Sequence, residues 1–166
     1  MNTYLYFYEN SVLFEVVVAA YLMHTAGNVF VLTDSNQAVT TYEGFSINPT
    51  QALESVAPDD ADLFILTGGD YQNIQNREPL HQLVLQLHAR QKTIAAICSG
   101  QTLLGELGML QDISPSQNSV TTHKNLILSA ANCYIDFAIE IGKHYQIYKN
   151  KDDLQETVDF FKFFKV

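Results

Sequence analysis

The sequence is poor in several residue types, and each shortage limits what the chain can be. Only two of the 166 residues are cysteine and none is tryptophan. Two cysteines are too few for a disulfide framework, so we expect reduced thiols and a cytoplasmic protein. Nine lysines and arginines face 18 aspartates and glutamates, which gives a net charge of −9. Because phosphate contacts need clustered basic residues, this balance argues against a nucleic-acid partner.

Long hydrophobic runs and secretion signals are also lacking. The longest apolar run, residues 16–23, is far shorter than the roughly 20 residues that span a bilayer. Residues 1–11 have neither a basic segment nor a small-residue cleavage site, so we interpret them as a first strand. The sequence therefore predicts no membrane partner.

The residues that are present describe a folded α/β protein. Hydrophobic residues make up 47% of the chain and aromatic residues 11%, which is typical of a globular protein. We expect residues 1–166 to form a single domain, since domains commonly contain about 100–150 residues. Strand-like and helix-like segments alternate, which predicts a three-layer α/β/α sandwich with a mostly parallel sheet.

Local patterns give the order of these elements. Predicted strands cover Thr3–Tyr8, Val29–Leu32, Leu63–Leu66, Ile94–Ile97 and Val120–Ala130, with a hairpin or bulge in Val39–Ile47. Predicted helices cover Val12–Ala26, Pro49–Val56, Pro79–Arg90, Ser99–Leu110, Cys133–Tyr148 and Asp152–Phe164. The last helix has an apolar face that must pack on the sheet's outer helices or on a second subunit. That face comprises Leu154, Val158, Phe161 and Phe164.

The segment Thr93–Leu110 carries the strongest chemical signal in the chain. Its apolar run is typical of a strand buried on both faces, and Gly100 permits close backbone approach after the turn at Cys98. Such a strand–turn–helix lifts one side chain to the top of a sheet and directs a helix N-terminus at it. We therefore expect Cys98 to be a nucleophile with a depressed pKa. The alternative is a small buried hydrophobic residue.

A second candidate segment ends at the same edge of the predicted sheet. The strand Leu63–Leu66 runs into Gly68 and Gly69, and functional crevices of parallel sheets lie beyond the carboxyl ends of the strands. The two glycine amides are candidate oxyanion donors, with the Ser99 amide as a further donor. Asp70 is a candidate pocket residue. The alternative is that the two glycines form only a turn.

Four segments together resemble the ThiJ/PfpI family, part of the class I glutamine amidotransferase-like superfamily. Ala95–Leu110 is similar to the family's nucleophile segment. Further segments similar in order and spacing are LFEVV at 13–17, TYEGFSINP at 41–49 and DLFILTGG at 62–69. The resemblance covers residues 3–110 and resumes weakly at 125–141. It implies a flavodoxin-like sheet, a cysteine-based site and a homodimer.

Glu15 stands out because it interrupts an apolar stretch. A buried carboxyl must pair or take a proton, whereas an exposed one would complement the helix dipole, and the pattern alone leaves both open. The resemblance implies the first: a protonated Glu15 that donates a hydrogen bond to the Cys98 thiolate.

No histidine directly follows Cys98, although many relatives carry one at the position of Ser99. His123 resembles a downstream histidine of some relatives and is the candidate catalytic partner, the alternative being a structural role. The remaining histidines have no ligand-like spacing, so the sequence predicts neither a metal site nor a cofactor.

The sequence thus predicts a small cysteine-dependent enzyme that attacks an electrophilic small molecule. The resemblance implies a hydrolase, an amidase, a glyoxalase- or deglycase-like enzyme, or a hydratase. Alternatives are a non-enzymatic redox or stress-response protein, in which Cys98 is oxidised, and a ligand-binding domain without turnover. Without a strong acid for an amine leaving group, efficient peptidase activity is not expected.

Overall fold

Six parallel strands and one antiparallel edge strand form the main sheet of the computed structural model, which describes residues 1–165. The strands are β1 (Asn2–Tyr6), β2 (Asn28–Thr33), β3 (Val39–Thr40), β4 (Ser46–Ile47), β5 (Gln51–Ala52), β6 (Leu63–Leu66), β7 (Thr93–Ile97), β8 (Thr121–His123) and β9 (Leu126–Ser129). The helices are α1 (Phe14–His24), α2 (Glu78–Ala89), α3 (Ser99–Glu106), α4 (Tyr134–His144) and α5 (Lys151–Phe163). The sheet order is β5-β2-β1-β6-β7-β9-β8, and β3 and β4 form a separate hairpin. The predicted α/β architecture is confirmed.

Helices cover both faces of this sheet because its strands are apolar on both sides. Alternate residues of a strand point to opposite faces. Along β1 and the two residues after it, Tyr4, Tyr6 and Tyr8 pack with α2 and α3, whereas Leu5 and Phe7 pack with α1 and α4. The central strands β6, β7 and β9 are buried throughout. This explains why their sequences lack the polar alternation of a half-exposed strand.

Two predicted elements differ from the structure. Residues 49–56 do not form one helix: Gln51 and Ala52 pair with the end of β2, and a single 3₁₀ turn follows at Leu53–Ser55. Residues 120–130 form two antiparallel strands rather than one, because Lys124 adopts φ 51° and reverses the chain. In both places strand pairing at the edge of the sheet determines the structure, and the local sequence pattern that predicted a helix or a single strand does not.

Two predicted helices end earlier than their apolar periodicity indicates. The helix after Cys98 stops at Glu106, just before Gly108 takes φ 76°. The helix predicted to end at Tyr148 stops at His144, before Gln146 takes φ 52°. Left-handed residues are a common way to end a helix.

The C-terminal helix α5 packs on the outer helices, as one of the two alternatives predicted. Phe161 packs against Tyr21 of α1, and Lys162 pairs with Asp136 of α4 at 2.6 Å. Phe164 lies just past the helix end in a left-handed conformation and is 87% exposed, so it does not continue the predicted face. Phe163 is also exposed. None of the helices in residues 1–165 is long and apolar enough to cross a membrane.

Candidate active site

Cys98 occupies a sharp turn between β7 and α3. Its backbone takes φ 56° and ψ −124°, a conformation that costs a non-glycine residue about 1–3 kcal/mol. The Cys98 amide donates to the Ser129 carbonyl at 3.0 Å, which ties the turn to β9. A Cβ on Gly100 would lie 2.9 Å from the Leu66 carbonyl oxygen, so only glycine lets α3 start so close to β6. The predicted strand–turn–helix is present.

The Cys98 side chain is half-buried and lines an open cleft of about 300 Å³. The cleft lies at the carboxyl ends of the parallel strands. Its other lining residues are Asn10, Val12, Tyr42, Gly69 and Asp70. The second thiol, Cys133, is only 7% exposed and lies outside this cleft. Cys98 is therefore the thiol that a small molecule reaches from this cleft.

Glu15 lies on the first turn of α1 and is 3% exposed, so it is not the solvated residue of the alternative interpretation. Its carboxyl accepts a hydrogen bond from the Gly68 amide at 3.1 Å and lies beside the Cys98 side chain, since both crowd the space next to Gly68. Burial raises the pKa of Glu15 to about 6, against the lowering effects of the Cys98 thiol and the Gly68 amide. The structure brings Glu15 and Cys98 together.

The pKa of the Cys98 thiol differs in direction from our expectation. Burial, followed by the negative charge of Glu15, raises it, while hydrogen bonds from the amides of Ser99 and Gly69 lower it. The prediction of a depressed pKa is wrong because the helix N-terminus was considered without the burial and the neighbouring carboxylate. Both pKa values are thus raised, so the pair does not favour the expected thiolate beside a protonated Glu15.

The two glycines after β6 have different roles. The Gly68 amide is engaged by Glu15, so it is not free to bind a developing oxyanion. Gly69 takes φ 137°, which favours glycine, and its amide faces the Cys98 sulfur. Asp70 is exposed, and its carboxylate accepts a hydrogen bond from the Gln72 amide at 3.1 Å. Gly69 and Ser99 are thus the two backbone donors at the sulfur.

His123 does not reach this site. It pairs with Leu126 at the start of β9, and Leu126 in turn pairs with Ile94, four positions before Cys98. At about 3.3 Å per residue, this separates His123 from Cys98 by roughly 13 Å. His123 instead lines a separate cavity of about 170 Å³ that it shares with His88. The order of residues in the sequence did not show that His123 ends an antiparallel strand, β8, and so lies beside the amino ends of the parallel strands, away from the site.

Sequence reasoning missed the residues that build the wall of the cleft. The Glu43 carboxylate accepts hydrogen bonds from the amides of Leu13 and Phe14, at 3.2 and 3.0 Å, and so caps the start of α1. This contact holds Tyr42 beside the cleft. Capping residues normally lie next to their helix in sequence, so no local pattern identifies a cap from about 30 positions away. Within residues 1–165, no three His, Cys, Asp or Glu side chains are grouped as metal ligands would be.

Comparisons with known proteins agree with this architecture. A structure of a thiJ/pfpI family protein from Bacillus anthracis superposes with a TM-score of 0.90 at 18% identity, covering 99% of this chain and 92% of that chain. A DJ-1 superfamily protein from Agrobacterium tumefaciens gives 0.87 at 18% identity, covering 99% of this chain and 100% of the other. Oxidized DJ-1 from Toxoplasma gondii gives 0.79 at 18% identity, covering 95% of each chain. At these identities the likeness shows the fold.

Sequence comparison gives the family. A curated protein named deglycase, from Pyrococcus abyssi, is 27% identical over 84 residues, which cover 50% of this chain and 51% of that protein. The chain therefore spans about half the length of this curated relative. The family model described as DJ-1/PfpI family matches residues 3–141, most of the chain and every element from β1 to the middle of α4. On that match, the chain belongs to the DJ-1/PfpI family.

Proposed function

We propose that the chain is a cysteine-dependent enzyme that attacks the carbonyl carbon of small aldehydes, in the manner of a deglycase- or glyoxalase-like enzyme. The observation that carries the proposal is the close approach of Cys98 and the buried carboxyl of Glu15 beside Gly68, with the amides of Gly69 and Ser99 near the same sulfur. The relative named deglycase supports this choice among the reactions that the family resemblance implies.

The first chemical step follows from these groups. The ionised Glu15 carboxylate takes the proton from the Cys98 thiol while the sulfur forms a bond to the carbonyl carbon. The π-electron pair of the carbonyl moves to its oxygen, which the amides of Gly69 and Ser99 stabilise. Glu15 then gives the proton to that oxygen. The product is a neutral hemithioacetal, with no proton gained from or lost to solvent.

The lining of the cleft favours neutral or cationic substrates. Val12 and the ring of Tyr42 offer apolar contact, whereas Asp70 and the nearby Glu15 add negative charge. None of the described residues lining the cleft is lysine, arginine or histidine. An anionic carbonyl compound would therefore be repelled without a compensating cation. We propose neutral α-oxoaldehydes as the substrate class and expect anionic ones such as glyoxylate to react more slowly.

The same site supports a second candidate function, as a redox protein. Two amides and a carboxyl around one sulfur can hold the oxygen atoms of an oxidised cysteine. In each oxidation hydrogen peroxide would transfer one oxygen atom to sulfur and be reduced to water, the first giving a sulfenate and the second a sulfinate. A solved structure with this fold is described as oxidized DJ-1.

The decisive experiment follows the disappearance of an α-oxoaldehyde by NMR with wild-type, Cys98→Ala and Cys133→Ala proteins. We expect Cys98→Ala to abolish consumption and Cys133→Ala to retain it. Consumption that survives in Cys98→Ala would overturn the proposal. If the wild type consumes no aldehyde but gains two oxygen atoms at Cys98 with two equivalents of hydrogen peroxide, the redox function replaces it.

A further inference from the structure

The hydroxyl of Tyr8 lies between the two residues whose amides face the Cys98 sulfur. Its oxygen is 3.2 Å from the Ser99 hydroxyl oxygen. It also packs beneath Gly69, since a Cβ built on that glycine would be 3.0 Å from the same phenol oxygen. One buried side chain thereby lies against both residues that supply the backbone donors, Gly69 after β6 and Ser99 after β7.

The ring of Tyr8 is fixed by a chain of contacts on the same face of the sheet. Tyr8 is 3% exposed and stacks on Tyr6, with ring centroids 5.9 Å apart and planes inclined by 26°. The Tyr6 hydroxyl donates to Asp34 at 2.5 Å, and Asp34 pairs with Arg77 at 3.3 Å. A ring held in this way cannot turn without disturbing a partly buried hydrogen bond.

We propose that Tyr8 is a positioning residue that sets the spacing of the Gly69 and Ser99 amides around the Cys98 sulfur. It acts through these two residues and does not touch the substrate. The inference rests on the proposed function, because the two amides matter as donors to the sulfur and to the oxygen that forms beside it. The Tyr8 side chain thereby holds the turn that carries Cys98 in place.

Tyr8 is uncharged, which agrees with a role in positioning other groups rather than in proton transfer. Burial is the main cause that raises its pKa above the ordinary value, and the charges of Cys98 and Glu15 raise it further. The hydroxyl stays neutral across the working pH range and so serves as neither base nor acid. Loss of this hydroxyl should raise the pKa of the Cys98 thiol. It should not add or remove a step in the pH profile of Cys98 alkylation.

The test compares Tyr8→Phe, Ser99→Ala and the double variant, with Tyr4→Phe as the matched control. Tyr4 is buried in β1, on the same face of the sheet as Tyr8 and four residues further from the cleft. The measurement is the rate of Cys98 alkylation by iodoacetamide against pH, which needs no aldehyde. We expect Tyr8→Phe to raise the thiol pKa and slow alkylation at neutral pH about fivefold, the worth of one neutral hydrogen bond. Tyr4→Phe should match the wild type.

The double variant separates positioning from general packing. If Tyr8 acts through the Ser99 hydroxyl, Ser99→Ala in the Tyr8→Phe background should add little, so the effects are non-additive. A Tyr8→Phe protein that melts at a lower temperature but keeps the wild-type thiol pKa would overturn the inference, as would full additivity. Failure of the proposed function looks different: wild-type Cys98 would be alkylated normally yet form no adduct with an α-oxoaldehyde.

Discussion

The Gly68 amide donates a 3.1 Å hydrogen bond to the carboxyl of Glu15, and this contact leaves no room for a side chain at Gly68. A Cβ there would lie 2.1 Å from a carboxyl oxygen of Glu15 and 2.5 Å from the Cβ of Cys98. The glycine is therefore the point at which the end of β6, the start of α1 and the nucleophile turn meet. Its small size lets a buried acid and a thiol lie side by side.

The buried acid should cost stability at neutral pH. The folded-state pKa of Glu15, about 6, exceeds the unfolded value of 4.5, so folding favours the protonated form. The stabilisation from this shift is present below pH 4.5 and is lost as the pH rises through 6. At 1.36 kcal/mol per pKa unit, the full effect is about 2 kcal/mol. Glu15→Gln should therefore be up to about 2 kcal/mol more stable than the wild type at pH 7.5 in urea unfolding.

This stability difference should close as the pH falls to 4, where the wild-type carboxyl is protonated. Glu140→Gln is a suitable control, because Glu140 lies at the surface in an ion pair with Lys143. A Glu15→Gln protein that is less stable than the wild type at pH 7.5 would mean that the ionised carboxylate is well compensated in the folded state.

Cys98 should be the more reactive thiol, with a rate that follows the ionisation of Glu15. We expect alkylation of the wild type to rise near pH 6, where Glu15 becomes able to accept the thiol proton, and again at alkaline pH as free thiolate forms. In Glu15→Gln the first rise should vanish. The second should move to lower pH, because the charge that raises the thiol pKa is gone.

Mass mapping of the alkylated peptides checks the assignment to Cys98. Labelling of Cys133 should lag, since that side chain is buried. Equal labelling of both cysteines, or a rise near pH 6 that persists in Glu15→Gln, is the contrary result.

Gly68→Ala should separate the acid from the thiol. The new methyl group would displace Glu15 or Cys98, so we expect loss of the alkylation step near pH 6 and a destabilisation of about 1–3 kcal/mol, as for other overpacked sites. Gly105→Ala is the matched control in α3, where the nearest atom outside the helix is 3.8 Å away. It should keep wild-type reactivity and gain about 0.5–1 kcal/mol from helix propensity. Similar behaviour of the two variants would contradict the tight packing at Gly68.

The C-terminal helix should stabilise the fold without contributing to the cysteine site. Removal of residues 152–166 exposes the surface that Phe161 covers near Tyr21, so we expect a lower melting temperature or aggregation. Phe161→Ala should cost about 1–2 kcal/mol, whereas Phe163→Ala, at an exposed position, should cost little. Alkylation of Cys98 should be unchanged in both. A truncated chain that is equally soluble and stable would refute this role.

The exposed rings of α5 also bear on the expected homodimer. Phe160, Phe163 and Phe164 are all more than half exposed, and a second subunit would cover such a surface. We expect sedimentation to give a dimer that Phe163→Glu weakens. A monomer at all concentrations would contradict this expectation.

The fold was largely predictable because strands and helices repeat with different periods. The apolar strands at Leu63–Leu66 and Thr93–Ile97, and the glycines at the turns, fixed the parallel core and the edge where the site lies. His123 and β5 were not predictable in the same way. Their positions depend on which end of a strand a loop joins and on pairing at a sheet edge, which no local period encodes.

The chemistry of the site was predictable only in part. Cys98 and Glu15 stand out as unusual residues in apolar surroundings, and the structure places them in contact. The direction of the thiol pKa was not predictable, because it depends on the balance of burial, one charge and two amides. Tyr8 was missed because a buried tyrosine in an aromatic strand resembles any other core residue.

The residues that act on the sulfur differ from those that line the cleft, and this affects how the substrate specificity of the protein can change. The groups that act on the sulfur are Glu15 and two main-chain amides, whereas Asn10, Val12 and Tyr42 only shape the space above it. Substitutions at these three positions can change which molecule fits while leaving the nucleophile intact. Evolution or protein design can thus change substrate specificity by substituting a few cleft residues while Cys98, Glu15 and the two amides stay in place.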